Sequence, residues 1–297
     1  MIVSRLKVGC IAELRHGRKT GVSKPIDVLE RSGVMAPSLL RRFDATWHEP
    51  AAEVRDVVDA YWSVRWELSA DETIEQRVLE FPAVTVSVET GAVPAPFMLT
   101  NVQRRAWSRT IEGRGFVFGV RLRPAGLAVV SNLDPTRLPA AQPITRELDD
   151  VLFGMLGAVS AQDSAADHAR RADSVITEMV ANRPPTPEHR LANAAVDALV
   201  QGAGRESGQS VAGRLGVSER AVQRALRSTL GMGPKAVARR VRLQEVLQQL
   251  SLPDADAAHI AADLGYVDQA HLINDFRGVA GITPGAYLRE LAALVRA

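Results

Sequence analysis

The sequence predicts an α+β chain in two parts. The first is a β-rich N-terminal domain, a small barrel or sheet with a helical segment. The second is an all-α C-terminal domain with two helix-turn-helix units. Three observations carry this: apolar residues alternate between about residues 60 and 125, helical spacing takes over after residue 144, and one helix-turn-helix pattern occurs twice beyond residue 210.

Taken in order, residues 1–35 show no sustained period and are expected to be a poorly ordered lead-in, with Met35 a candidate alternative start and residues 1–34 dispensable. Val54, Val57, Val58 and Tyr61 follow helical spacing, so a helix is expected over 52–61. The period then becomes two. In WSVRWEL, Trp62, Val64, Trp66 and Leu68 share one face, and Ser63, Arg65 and Glu67 take the other. Val84, Val86 and Val88 alternate before a turn at Gly91, and Phe116, Phe118, Val120 and Leu122 do so after Gly113-Arg114-Gly115. Strands of this kind imply an antiparallel sheet with one buried face. Trp62 and Trp66 are candidates to line a small-molecule pocket, where aromatics dominate; plain core is the alternative. Arg121 and Arg123 alternate outward, toward a solvated strand face or an anion site. The β-rich domain is thus placed at 36–143.

Helical spacing returns with Leu148, Leu152, Met155, Leu156 and Val159, then Ile176, Met179 and Val180, giving a helical connecting segment over 144–183. In ANRPPTPEH (181–189), Pro184, Pro185 and Pro187 lack N–H donors and restrict their predecessors, so the boundary falls there. The helical C-terminal domain spans 188–297.

The chain has 297 residues, 46% hydrophobic and 24% charged, enough for about two cores. A lone Cys10 excludes a disulfide framework and a cysteine-built zinc site, and fits a reducing cytoplasm. The six histidines form no HxH or HxxxH pair, so no metal is expected. No nucleotide-binding or nucleophile-elbow glycine pattern appears, so neither cofactor nor catalysis is expected. No apolar run approaches the roughly 20 residues needed to cross a bilayer, and the N-terminus lacks a signal-peptide core; no membrane association is expected.

The net charge of +2 hides a contrast. Residues 205–250 hold nine Arg/Lys against three Asp/Glu, and 251–297 hold three against six. A strongly basic stretch inside a near-neutral chain points to a polyanion.

That stretch contains LGVSERAVQRALRSTLGMGPKAV (215–237), which is repeated as LGYVDQAHLINDFRGVAGITPGAY (264–287). Each copy has a helix, a Gly turn and a second helix. Ser218 and Asp268 are the expected N-caps, and Val217 against Val222 and Val267 against Leu272 the expected hydrophobic staples. Pro234 and Pro284 stand where a further helix starts, where a missing N–H is harmless. Arg220, Gln223, Arg224 and Arg227 fall at i, i+3, i+4 and i+7, one exposed stripe on the second helix of the first copy. On the helix that enters a major groove, Arg pairs with guanine and Gln with adenine. Arg239, Arg240 and Arg242 on the following helix are candidate phosphate contacts, with a solvated face as the alternative. His271 is placed for a phosphate contact or a local cap.

This paired motif resembles the DNA-binding domain of AraC/XylS-family transcription regulators over about residues 190–290, through SERAVQRALR, DQAHLINDFR and the closures GMGP and GITP. The resemblance implies a sequence-specific transcription regulator in the cytoplasm, with double-stranded DNA and RNA polymerase as partners. Two helix-turn-helix units joined by a long helix would meet successive major grooves. By position, Arg220, Gln223 and Arg224 would face bases in the first unit and Ala270, Ile273 and Asn274 in the second. Arg227 and Arg277 would sit nearer the backbone. The family commonly has a basic residue in the segment held here by Ile273 and Asn274, so the first unit is expected to supply most of the grip. YWSVRWEL, EFPAVTVSVE and GFVFGVRLRPAGL resemble the sensor-like domain of a subgroup, which implies a small-molecule effector or a homodimer. Some DNA-repair methyltransferases carry a similar helix-turn-helix domain, but they need a thiolate nucleophile and a cysteine-held zinc, and Cys10 cannot supply both. An architectural DNA binder without a ligand is the remaining alternative.

Overall fold

The alternating residues of 58–67 and 114–122 form the two longest strands of an antiparallel sheet that is covered on both faces. The computed structural model describes residues 33–35, 43–162, 164–252 and 255–296. Its strands are β1 (Asp44–His48), β2 (Val58–Glu67), β3 (Thr73–Val78), β4 (Thr85–Gly91), β5 (Phe97–Thr100), β6 (Trp107–Glu112), β7 (Arg114–Leu122) and β8 (Ala141–Pro143). Six run in the order β1-β2-β7-β4-β5-β8, and β3 pairs with β6 as a separate ribbon. A short helix α1 (Leu127–Val130) follows β7, and α2 (Asp150–Ser160) and α3 (Ala165–Asn182) follow β8.

Register assigns the faces. Tyr61 opposes Val120 and Ser63 opposes Phe118, and these pairs look toward α2 and α3. Trp62 opposes Gly119, Val64 opposes Val117 and Trp66 opposes Gly115, and these look toward the β3–β6 ribbon. The helical layer is locked by Asp173 of α3, which accepts from the Tyr61 hydroxyl (2.8 Å) and the Ala51 amide (3.0 Å).

Several expectations change here. The sheet is not buried on one face only: Ser63 is buried against the helical layer and its hydroxyl is 2.8 Å from that of Thr46. The helix expected over 52–61 is a 3-10 turn, Ala52–Val54, followed by β2. Val54, Val57, Val58 and Tyr61 do share one core, because a tight turn followed by a bulged strand start also brings them to one side. The segment 144–183 is not a connector: Leu152, Met155, Leu156, Val159 and Ile176 are fully part of the sheet's core. Of the lead-in, residues 1–32 lie outside the described residues, but Val34 forms an isolated bridge to Val78 and Met35 is buried, so 33–35 pack along the edge of the ribbon. This packing counts against a start at Met35 being harmless, since Val34 would be lost.

Beyond 183–186 the chain is helical: α4 (Pro187–Gln201), α5 (Gly208–Leu215), α6 (Glu219–Leu230), α7 (Pro234–Leu250), α8 (Ala257–Asp263), α9 (Gln269–Ala280) and α10 (Pro284–Arg296). The pairs α5–α6 and α8–α9 are the two helix-turn-helix units, and α7 joins them. Each has its own core. That of the first unit adds α4 and, from the sheet domain, Phe81 and Ala83; that of the second adds Leu79 and Met35. Among the described residues no helix is long and apolar enough to cross a membrane, and no cluster of three His, Cys, Asp or Glu is placed to hold a metal.

Candidate nucleic-acid interface and a tryptophan-lined cavity

Local chemistry fixes both recognition helices. Ser218 caps α6 by accepting from the Ala221 amide (3.2 Å), and Asp268 caps α9 by accepting from His271 (2.7 Å). Both helices end in a glycine at positive φ, Gly231 at 66° and Gly281 at 78°, where a side chain would be strained. Pro234 and Pro284 open the next helices. The expected Val267 staple is absent: Val267 is 87% exposed while Leu272 is buried, and the Asp268 cap holds that turn without it. His271 lies edge-on to the Tyr266 ring at 5.2 Å.

On α6, Val222, Ala225, Leu226 and Leu230 are buried, which leaves Arg220, Arg224 and Arg227 exposed and Gln223 half-buried. These four line an open groove of about 760 Å³ with Glu219, Ser228 and, from the sheet domain, Thr136. Gln223 donates to Glu219 (3.3 Å), and Arg224 donates to Glu188 at the start of α4 (3.3 Å). On α9, Ala270, Asn274 and Arg277 are exposed and Ile273 is half-buried. Arg277 donates to the Asn274 amide oxygen (3.1 Å).

The three arginines of α7 separate. Arg239 is exposed and pairs with Asp275 of α9. Arg240 is buried, donates to the Gln103 carbonyl, and its guanidinium is lowered to about 10 by burial, against the pull of Glu80. Arg242 is half-buried, donates to the Gly204 carbonyl (2.8 Å) and lies over the Tyr266 ring at 5.2 Å. A phosphate contact by Arg240 or Arg242 is therefore corrected: one guanidinium is sealed under the sheet domain and the other is spent on a loop carbonyl.

The second site lies between the sheet and the β3–β6 ribbon. Trp47, Trp62, Trp66 and Trp107, all the tryptophans of the chain, line one cavity of about 120 Å³. The structure thus brings Trp62 and Trp66 together in a cavity wall; Trp66 is buried and its indole N–H donates to the Glu112 carbonyl (3.0 Å). A Cβ on Gly119 would lie 2.2 Å from the Trp62 ring and one on Gly115 2.1 Å from the Trp66 ring. Only glycine lets each indole lie on the neighbouring strand. Polar and charged walls come from Gln76, Glu80, Ser87, Glu89, Arg109 and Arg121. Arg109 pairs with Glu89 at 2.8 Å, and Arg121 pairs with Asp59 at 2.6 Å. Arg121 is accordingly not on a solvated strand face; Arg123, also paired, meets Asp197 of α4 at 2.6 Å. Burial pushes the Glu80 carboxyl up to about 7, against the opposing pull of the Trp107 indole, Arg240 and Arg121.

Sequence reasoning missed Trp47, Trp107, Glu80, Glu89 and Arg109. One signal was present: glycines four apart on one strand, 115 and 119, opposite tryptophans four apart on another.

The cavity adjoins the helical domain at three points, the first being Phe81, which lines it and is itself in the core of the first unit. Glu80 lines it, and its neighbour Leu79 is in the core of the second unit, with its carbonyl accepting from Gln244 of α7. Trp107 lines it, and its neighbour Ala106 donates its amide to the Val279 carbonyl of α9 (2.8 Å). Apart from Phe81, the first unit is anchored away from the cavity: Asn193 of α4 donates to the Asp56 carbonyl (2.8 Å) and accepts from the Ala125 amide (3.0 Å).

Residues 211–290 match a helix-turn-helix domain family and residues 46–140 match a domain of unknown function (DUF6597). No curated protein matches the sequence. Among solved structures the chain is similar to a DNA-binding transcriptional dual regulator from Escherichia coli K-12, at 19% identity over 35% of this chain and 93% of that chain, with a TM-score of 0.33. It is also similar to ToxT from Vibrio cholerae O395, at 10% identity over 84% and 98% of the two chains, with a TM-score of 0.37. For ToxT bound to (E)-4-(8-methylnaphthalen-1-yl)but-3-enoic acid the values are 11%, 84%, 99% and 0.39.

Proposed function

We propose that the protein is a DNA-binding transcription regulator of the AraC type, a reading supported by the helix-turn-helix family match over residues 211–290, and that occupancy of the tryptophan-lined cavity controls how its second helix-turn-helix unit sits on DNA. One observation carries this reading: Glu80 and Trp107, both cavity-lining, each adjoin in sequence a residue that holds the second unit, Leu79 and Ala106. A ligand that moves either wall biases that unit, provided it binds one arrangement better than the other.

In this reading Arg220, Gln223 and Arg224 face bases in one major groove, and Ala270, Ile273 and Asn274 face the next. Arg227, Arg239 and Arg277 serve the phosphates. Arg224 first leaves Glu188, and Arg239 leaves Asp275. The effector is a small molecule; RNA polymerase and a second copy of the chain are the protein partners, and the cytoplasm is the place of action.

The test needs no ligand. Val64→Phe adds a ring to the cavity wall in place of a half-buried valine. Titration against an operator obtained by genome-wide mapping should show a several-fold change in affinity with the thermal midpoint kept within a few degrees. An unchanged operator affinity would leave an architectural DNA binder whose cavity has no regulatory role.

A further inference from the structure

We propose that the cavity between the sheet and the β3–β6 ribbon takes a small organic cation, a protonated amine or quaternary ammonium, held by the tryptophan faces with Glu80 as its counter-ion. The proposal concerns the ligand of the regulatory cavity and rests on that regulatory reading only for its consequence at DNA.

Among the charged groups that line the cavity, one lacks an ion pair. Both lining arginines already have carboxylate partners, Arg109 with Glu89 at 2.8 Å and Arg121 with Asp59 at 2.6 Å. Glu89 is satisfied further by the Ser87 hydroxyl at 2.8 Å. Glu80 makes no ion pair among the described residues, and its buried Oε2 has no hydrogen-bond partner. The Trp107 indole, the buried Arg240 (itself without a carboxylate partner among the described residues) and Arg121 favour its charged form without making an ion pair with it. A buried carboxylate oxygen without a partner is costly, and a ligand that brings a positive charge removes that cost. A ligand carboxylate would instead meet arginines that are already neutralised, beside an acid that repels it.

The aromatic walls point the same way. A cation is attracted to the negative face of an indole, most strongly where water is excluded, and aromatic cages are a recurring solution for quaternary ammonium groups. The cavity already shows the arrangement once: the Arg109 guanidinium lies 5.6 Å from the centre of the Trp66 ring, with Glu89 as its counter-ion. The Gly119 seat lays the Trp62 ring against β7, as the Gly115 seat does for Trp66, and Trp47 sits opposite Trp62 in register on β1. Trp47, Trp62 and Trp107 with Glu80 therefore repeat, without a cation in ion-pair contact, what Trp66 and Glu89 offer Arg109. Size narrows the class: drug-sized ligands occupy roughly 300–1,000 Å³, and about 120 Å³ admits only a small cation.

All four tryptophans being in this cavity, intrinsic fluorescence of the full-length protein reports its occupancy without background. The probes are choline, its neutral isostere 3,3-dimethylbutan-1-ol and the anionic 3,3-dimethylbutanoate, alongside isobutylamine with isobutanol and isobutyrate. At pH 8, saturable quenching by a cation with at least tenfold higher affinity than its neutral and anionic isosteres is expected, and Glu80→Gln should lower that affinity about tenfold. The isostere comparison on the unaltered protein stands even if the variant folds poorly. Equal affinity across a series, tighter binding of the carboxylate, or no quenching by any cation overturns the proposal. So does full cation affinity in Glu80→Gln. Operator titration with the cation present separates the two readings. A cation that binds the cavity but leaves operator affinity unchanged supports the ligand class and contradicts regulation. A Val64→Phe effect on DNA without any cation binding supports regulation and contradicts the ligand class.

Discussion

The two helix-turn-helix units share a plan and differ in what surrounds them. The first presents Arg220, Gln223 and Arg224, and it is fixed through Asn193 and Asp197 of α4 to Asp56, Ala125 and Arg123, contacts outside the cavity wall apart from Phe81. The second presents Ala270, Ile273 and Asn274 on an acidic background. It meets the sheet domain through Leu79 and Ala106, each next to a cavity wall residue. The contrast teaches that reading DNA and answering a ligand need not be done by the same helix pair. A firmly mounted basic unit suits the first task, and a unit hung on the cavity wall suits the second.

The largest effect is expected where the second unit is hung. Leu79 is fully buried, so Leu79→Ala should cost about 2–5 kcal/mol. Denaturant titration should show α8 and α9 melting ahead of α5 and α6; loss of both together would dissolve the contrast. Glu80 comes next. Its carboxyl releases a proton near 4.5 when unfolded and near 7 when folded, so the folded state binds more protons in between. Its contribution to stability is therefore full below pH 4.5, falls as pH rises toward 7, and stays low above. Glu80→Gln removes this dependence and should raise stability at pH 8, by on the order of 3 kcal/mol at most, with little change at pH 4.5. Calorimetry at the two pH values checks the sign, with Arg121, Arg240, Trp107, Glu89 and Arg109 as the surrounding groups.

Contacts to DNA follow in size. Arg224→Ala should cost about 1–3 kcal/mol and relax preference at about one base pair. Asn274→Ala should cost less, under about 1 kcal/mol, because its amide oxygen is already engaged by Arg277 and the second unit stands on an acidic background. Titration of both variants on one operator at several salt concentrations ranks them, and a larger loss for Asn274→Ala would reverse the roles of the two units.

The helix-turn-helix repeat was legible because its signals are local. Caps at Ser218 and Asp268, glycines at the helix ends and prolines at the next starts all act within a few residues. The sheet domain was legible only where alternation was strong, as at Phe116 to Leu122. The ribbon strands TIEQRV and WSRTIE carry too few apolar residues to stand out. The valine spacing at 54, 57 and 58 fits a helix as well as the turn and strand it forms. Arg240 looked like a phosphate contact on a basic helix, but its partner is the Gln103 carbonyl, 137 residues away in sequence, and no local pattern encodes that. The cavity was half visible. Trp62 and Trp66 announced an aromatic face, while Glu80 and Trp107 reach it only through the ribbon.

Hydrogen exchange on the full-length protein, comparing the native chain with Val64→Phe, tests the link between cavity and second unit most directly. Filling the cavity should alter protection of the α8 and α9 amides and of Ala106, while α5 and α6 keep theirs. A change confined to α5 and α6, an equal change in both units, or none in either would contradict the account.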